Sequence, residues 1–87
     1  MEPAELMEAL LDLAREVDLP VRLVAPLEGD TASALCRVRG RTWVVLSRSD
    51  PVAVQIDVLA RGLRDCAGEA LEGRYLPPAV RDRIEST

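Results

Sequence analysis

The sequence predicts an α+β fold: an N-terminal helix, a three-stranded antiparallel meander sheet, a long helix and a short C-terminal helix, stacked in two layers. Three observations predict it. Apolar residues recur at three-four spacing towards both ends of the chain and alternate in its middle. Gly40 stands between two short β-type runs, the mark of a hairpin. The chain has 87 residues, which is one domain, residues 1–87, with room for a single core.

The first helix is expected from Pro3 to Val17, where Leu6, Leu10, Leu13, Ala14 and Val17 share a face. Pro3 suits a first turn, and Glu5 and Glu8 lie near the positive end of the helix dipole. Pro20 ends the helix by pushing Leu19 towards extended geometry. Val21 to Ala25 then reads as a strand, broken by Pro26 and Glu28-Gly29-Asp30.

A second strand is expected from Ser33 to Arg39 and a third from Thr42 to Ser47. A turn at Arg39-Gly40 and one at Gly40-Arg41 assign the same faces. One face holds Ala34, Cys36, Val38, Trp43 and Val45; the other holds Leu35, Arg37, Thr42, Val44 and Leu46. The first has more apolar area and is expected to meet the helices.

Asp50 is expected to cap the long helix, with Pro51 in its first turn and Gly68 ending it after Ala67. Val52, Ile56, Leu59, Leu63 and Cys66 form its expected core stripe. Asp57–Arg61 and Arg61–Asp65 are spaced for surface ion pairs. Leu76-Pro77-Pro78 announces a last helix to about Glu85, with Val80 and Ile84 apolar and Tyr75 and Leu76 as its anchor. So short a helix must dock to persist.

Composition excludes several function classes. With 48% hydrophobic and 30% charged residues, the chain has the balance of a soluble globular protein. It has no His, which removes the commonest general base and the commonest metal ligand. No catalytic residue, metal ligand or cofactor site is therefore assigned, and the protein is expected not to be an enzyme. Cys36 and Cys66 lack a partner base, fall on expected core faces and are read as buried, reduced thiols. No apolar run is long enough to span a membrane, and the acidic start differs from a signal peptide; a cytoplasmic location is expected.

The net charge of −4 argues against a general nucleic-acid binder. The charge is uneven, however: residues 1–18 carry −5, residues 19–48 carry +3 and residues 49–87 carry −2. Arg37, Arg39 and Arg41 cluster at the hairpin and are the candidate site for nucleic acid or another polyanion.

Leu59-Ala60-Arg61-Gly62-Leu63-Arg64-Asp65, in a helix after a small sheet, resembles the minimal core of zincin metallopeptidases in its apolar pattern. The motif's first His falls on Arg61, its Glu on Gly62 and its second His on Asp65, so the resemblance implies a scaffold without catalysis. Leu35 to Gly40 and Tyr75 to Arg81 also resemble segments of a group of small uncharacterised bacterial proteins, a likeness that implies no activity.

The functional expectation is a non-enzymatic protein–protein interaction module, self-associating as a homodimer or serving as a small subunit of a complex. Surplus apolar residues carry it: Leu35, Val44 and Leu46 on the sheet face away from the helices, and Val54 and Val58 on a second stripe of the long helix. The alternatives are polyanion binding through the Arg hairpin and an inactive zincin-like scaffold.

Overall fold

The computed structural model describes residues 1–25 and 32–87; the expected break at Pro26 and Glu28-Gly29-Asp30 lies outside them. The elements follow the expected order. They are α1 (Pro3–Glu16), β1 (Val21–Val24), β2 (Ala34–Val38), β3 (Arg41–Ser47), α2 (Val52–Glu72) and α3 (Pro78–Glu85). On α1 the spacing of Leu10, Leu13 and Ala14 buries all three, while Leu6 and Val17 are half-buried at the margin.

The sheet is mixed rather than an antiparallel meander. Its order is β1-β3-β2, with β1 parallel to β3 and β2 antiparallel to it. The chain passes from β1 to the far edge, and the hairpin then brings β3 back between the two. Consecutive strands usually pair; here β1 skips β2 and sets Val21 and Leu23 opposite Val44 and Leu46 of β3. The Val44 N–H donates to the Pro20 carbonyl at 2.9 Å, and the Arg48 N–H to the Val24 carbonyl at 3.0 Å.

The helices cover the face opposite to the expected one. Val44 and Leu46 are 0% exposed and Leu35 is half-buried, all beneath the helical layer. The reason lies on α2. Its buried stripe includes Ala60 and Gly62, and at Gly62 the helix backbone comes down directly onto Val44 and Leu35. The side chains of Val44 and Leu35 fill the narrow space beneath it.

α2 is the central helix, packed against α1, α3 and β3. This explains why Val58, placed by the sequence on an outward stripe, is 3% exposed, whereas Val52, expected in the core, is 41% exposed. The helix also runs past its expected end. Ala67 is kinked out of helical geometry (φ −132°, ψ 18°), the chain resumes its helix, and Gly73 rather than Gly68 closes it. Asp50 does not cap α2, because Pro51 occupies the N-cap position and makes no side-chain hydrogen bond. The Asp57–Arg61 pair forms at 3.5 Å, but Asp65 pairs with its neighbour Arg64 at 3.0 Å instead of Arg61.

Val80, Ile84 and Leu76 dock the C-terminal segment as expected, but Tyr75 is 82% exposed and is no anchor. Arg74, bonded to Glu16 at 3.0 Å, and Leu76 fix the stretch on either side of it.

Candidate interaction surface

With the helices on one side, the other side of the sheet lies open. The register sets its residues: Ala34, Cys36 and Val38 on β2, Arg41, Trp43 and Val45 on β3, and Arg22 on β1 beside Val45. Trp43 and Val45 are half-buried, Ala34, Cys36 and Arg22 are exposed, and Val38 is 50% exposed. Cys36 stands directly across from Trp43. This makes an apolar patch with arginines around it. Its residues are the ones the sequence reading sent to the core. The common parity of Cys36, Val38, Trp43 and Val45 was visible in the sequence, and only the choice of face was wrong.

The same exchange corrects the candidate interface. Leu35, Val44, Leu46 and Val58 belong to the chain's own core, and of the five residues only Val54 is exposed, on the first turns of α2. Cys36 and Cys66 are both free and exposed rather than buried. Cys36 follows its face of the sheet, and Cys66 lies next to the kink, where Ala67 takes the core position.

The hairpin turn is Arg39-Gly40, with φ of +52° and +79°. Two central residues at positive φ make the mirror-image turn whose twist suits paired strands, and glycine adopts this geometry without steric cost. Arg37, Arg39 and Arg41 do gather here, but two of them have local work. The Arg41 guanidinium donates to the Asp18 carbonyl at 2.8 Å and pairs with the Asp18 carboxylate at 3.2 Å, tying the hairpin to the end of α1. Arg37 donates to the Gly40 carbonyl at 3.2 Å. Among the described residues, Arg39 makes no side-chain hydrogen bond or ion pair. The described strands and the Arg39-Gly40 turn contain no acidic residue, while α1 carries Glu5, Glu8, Asp12 and Glu16 against Arg15. The sheet layer is therefore basic and the helix beyond it acidic.

At the opposite end of the sheet a polar cluster joins three segments. The Ser33 N–H donates to Asp50 Oδ2 at 2.8 Å, and the Ser47 N–H donates to Ser33 Oγ at 2.8 Å. Gln55 Nε2 donates to the Ser47 and Asp50 carbonyls, each at 2.9 Å. The Ser33 backbone N–H first, and its hydroxyl second, hold the Asp50 carboxyl below its ordinary range. The Ser47 and Ser49 hydroxyls share a hydrogen bond of 2.8 Å. The cluster fastens β2 and β3 to the start of α2.

A shallow groove of about 400 Å³ between α1 and β1 is lined mainly by Leu11, Leu19, Pro20, Val21 and Leu23, with Arg15 and Asp18 at its rim. Among the described residues, no group of three or more His, Cys, Asp or Glu is placed to hold a metal. Of the positions matched to the metallopeptidase motif, Arg61 and Asp65 are exposed, and Gly62 is buried against β3. No described helix is long and apolar enough to cross a membrane. No protein-family model, curated protein or solved structure matches the chain.

Proposed function

We propose that the chain is a non-enzymatic protein-interaction module that binds through the open face of its sheet. One observation carries the reading: Ala34, Cys36, Val38, Trp43 and Val45 form a contiguous, partly exposed apolar patch on the side away from the helices. The core does not need that patch, since Leu10, Val44, Leu46, Leu59 and Leu63 already close it. Exposed apolar patches of this kind mark association surfaces. Trp43 is the chain's one tryptophan and a residue type enriched where interfaces concentrate their energy.

The test compares two surface variants, Val45→Glu on the open face and Val54→Glu on α2. Both are checked for folding by circular dichroism, then for self-association by light scattering and for partner capture from the source cell. The expected result is loss of association or capture with Val45→Glu and retention with Val54→Glu. Equal behaviour of the two variants, or no association of the wild type with itself or a partner, overturns the reading.

The basic sheet layer favours a second reading, in which the bound surface is a polyanion. Salt separates the two. A complex held by Arg contacts to phosphates weakens steeply and linearly in log salt, whereas an apolar contact holds.

A further inference from the structure

We propose that two copies of this chain pair through β2, antiparallel about a two-fold axis at Cys36, so that their sheets become one. The inference rests on the module reading and names a second copy as the partner.

β2 is an edge strand, and its free side follows from the hairpin. In a two-residue turn the flanking residues, Val38 and Arg41, close the ladder as a hydrogen-bonded pair. Bonded and non-bonded pairs then alternate, so Ala34, Cys36 and Val38 use their backbone groups on β3. Leu35 and Arg37 direct theirs outwards. The other side of β3 agrees with this parity: Val44, opposite Leu35, gives its N–H to Pro20 rather than to β2. Among the described residues, no backbone hydrogen bond reaches the outer edge of β2.

A two-fold pair that overlaps the whole of Ala34–Val38 places Leu35 opposite the partner copy's Arg37 and Ala34 opposite its Val38. Leu35 and Arg37 are both outward-directed, so each such pair exchanges both backbone bonds. Cys36 meets its own copy at the axis as a non-bonded pair, and no two arginines stand directly opposite. The other edge fails this test. β1 spans Val21–Val24, an even number of residues, so full two-fold overlap sets outward groups against inward ones. Within β2 itself, two of the usual edge protections are missing and a third is turned aside. The strand has no proline, no bulge interrupts its register with β3, and its one charged side chain, Arg37, is folded back onto the Gly40 carbonyl. Pairing joins the two open faces into one apolar band with Trp43 of each copy flanking the cysteines. Closed two-fold pairing is the commonest form of self-association.

Cys36 provides the readout. A non-bonded antiparallel pair holds its Cα atoms roughly 4.5 Å apart, within the range a disulfide spans. The Cys66→Ser variant is sized by light scattering in reducing buffer across the micromolar range, then treated with diamide, which takes two thiols to a disulfide. The expected result is a dimer before oxidation and rapid conversion to a covalent dimer of the same size. The unmutated chain should also show hydrogen exchange at the Leu35 and Arg37 amides slowed at least ~10-fold as concentration rises through dimerisation, as protection of paired amides requires. Arg37→Pro removes an outward N–H without touching the β2–β3 ladder and should give a folded monomer. A dimer whose Cys36 thiols do not join and whose Leu35 and Arg37 amides stay unprotected overturns the pairing and leaves the module reading standing. So does a monomer that still captures a partner through Val45. A monomer with no partner overturns both.

Discussion

A Cβ built on Gly62 lies 2.8 Å from Cγ2 of Val44, closer than real Cβ contacts come. Val44 is fully buried and β-branched, so it has no free rotamer to retreat into. Leu35 Cδ2, at 3.0 Å from the same point, is the end of a more flexible chain and yields more easily. In an exposed helix, Gly→Ala gains about 0.5–1 kcal/mol. Here overpacking, typically about 1–3 kcal/mol, opposes it. Gly62→Ala is therefore expected to lose about 1–2 kcal/mol in urea unfolding, as the larger overpacking cost outweighs the helix gain. Combined with Val44→Ala, it should cost less than the sum of the two single changes.

Ser33→Ala should destabilise the fold although Ser33 is only half-buried. Its hydroxyl is the acceptor for the N–H of Ser47, a residue 1% exposed. Removing it strands a buried donor, which costs about 1–3 kcal/mol. Ser86→Ala, whose exposed hydroxyl contacts only the Arg83 carbonyl, is the comparison and should stay within about 0.5 kcal/mol of wild type. Urea midpoints of the two variants decide it.

The Asp50 carboxyl is held below its ordinary value when folded, by the Ser33 N–H and then its hydroxyl. Its contribution is therefore fully present above the unfolded-state carboxylate range. It is lost as pH falls through that range and on through the lowered folded value. The urea midpoint of Asp50→Asn should lie below that of wild type at pH ~7, with the gap narrowing as pH falls through the ordinary carboxylate range and closing only below it, once the wild-type carboxyl takes up its proton as well. A gap that does not change with pH would show that the carboxylate charge contributes nothing.

Tyr75 and Leu76 are neighbours with opposite fates, 82% and 7% exposed. Tyr75→Ala should change stability by less than about 0.5 kcal/mol. Leu76→Ala should cost about 2–5 kcal/mol, the range for a buried leucine, and should loosen α3 with it. Thermal unfolding of the two variants side by side checks both.

The elements of this fold were legible because each carries a local signal. Leu10, Leu13 and Ala14 repeat at helical spacing, Pro20 stops a helix, and Gly40 between two β-type runs marks a turn. The shared face of Cys36 and Trp43 was legible too, because both possible turns give it, although the sequence left residue 36 opposite 43 or 45 and the structure selects 43. The face was not. Apolar area favoured the side of Trp43, but what decides is the distance of approach, and Gly62 sets that from a remote part of the chain. Tryptophan also tolerates half-burial, since its large ring carries a polar N–H. The partnership of β1 with β3 escaped for a similar reason: nothing local to Val21–Val24 says which strand lies beside it. Once the faces exchanged, Leu35, Val44, Leu46 and Cys36 exchanged roles, and the candidate interface moved with them.

The contrast between a basic sheet layer and an acidic α1 gives the molecule an electrical direction as well as a net charge of −4. Far from a charged body only the net value counts. Within a screening length, roughly 8 Å at physiological ionic strength, the nearer pole governs. An anionic surface should therefore turn the molecule sheet-first before any contact forms, and a cationic one should turn it by α1. The apolar patch rides on the basic pole, so the same torque that orients the chain also presents Trp43 to what it approaches.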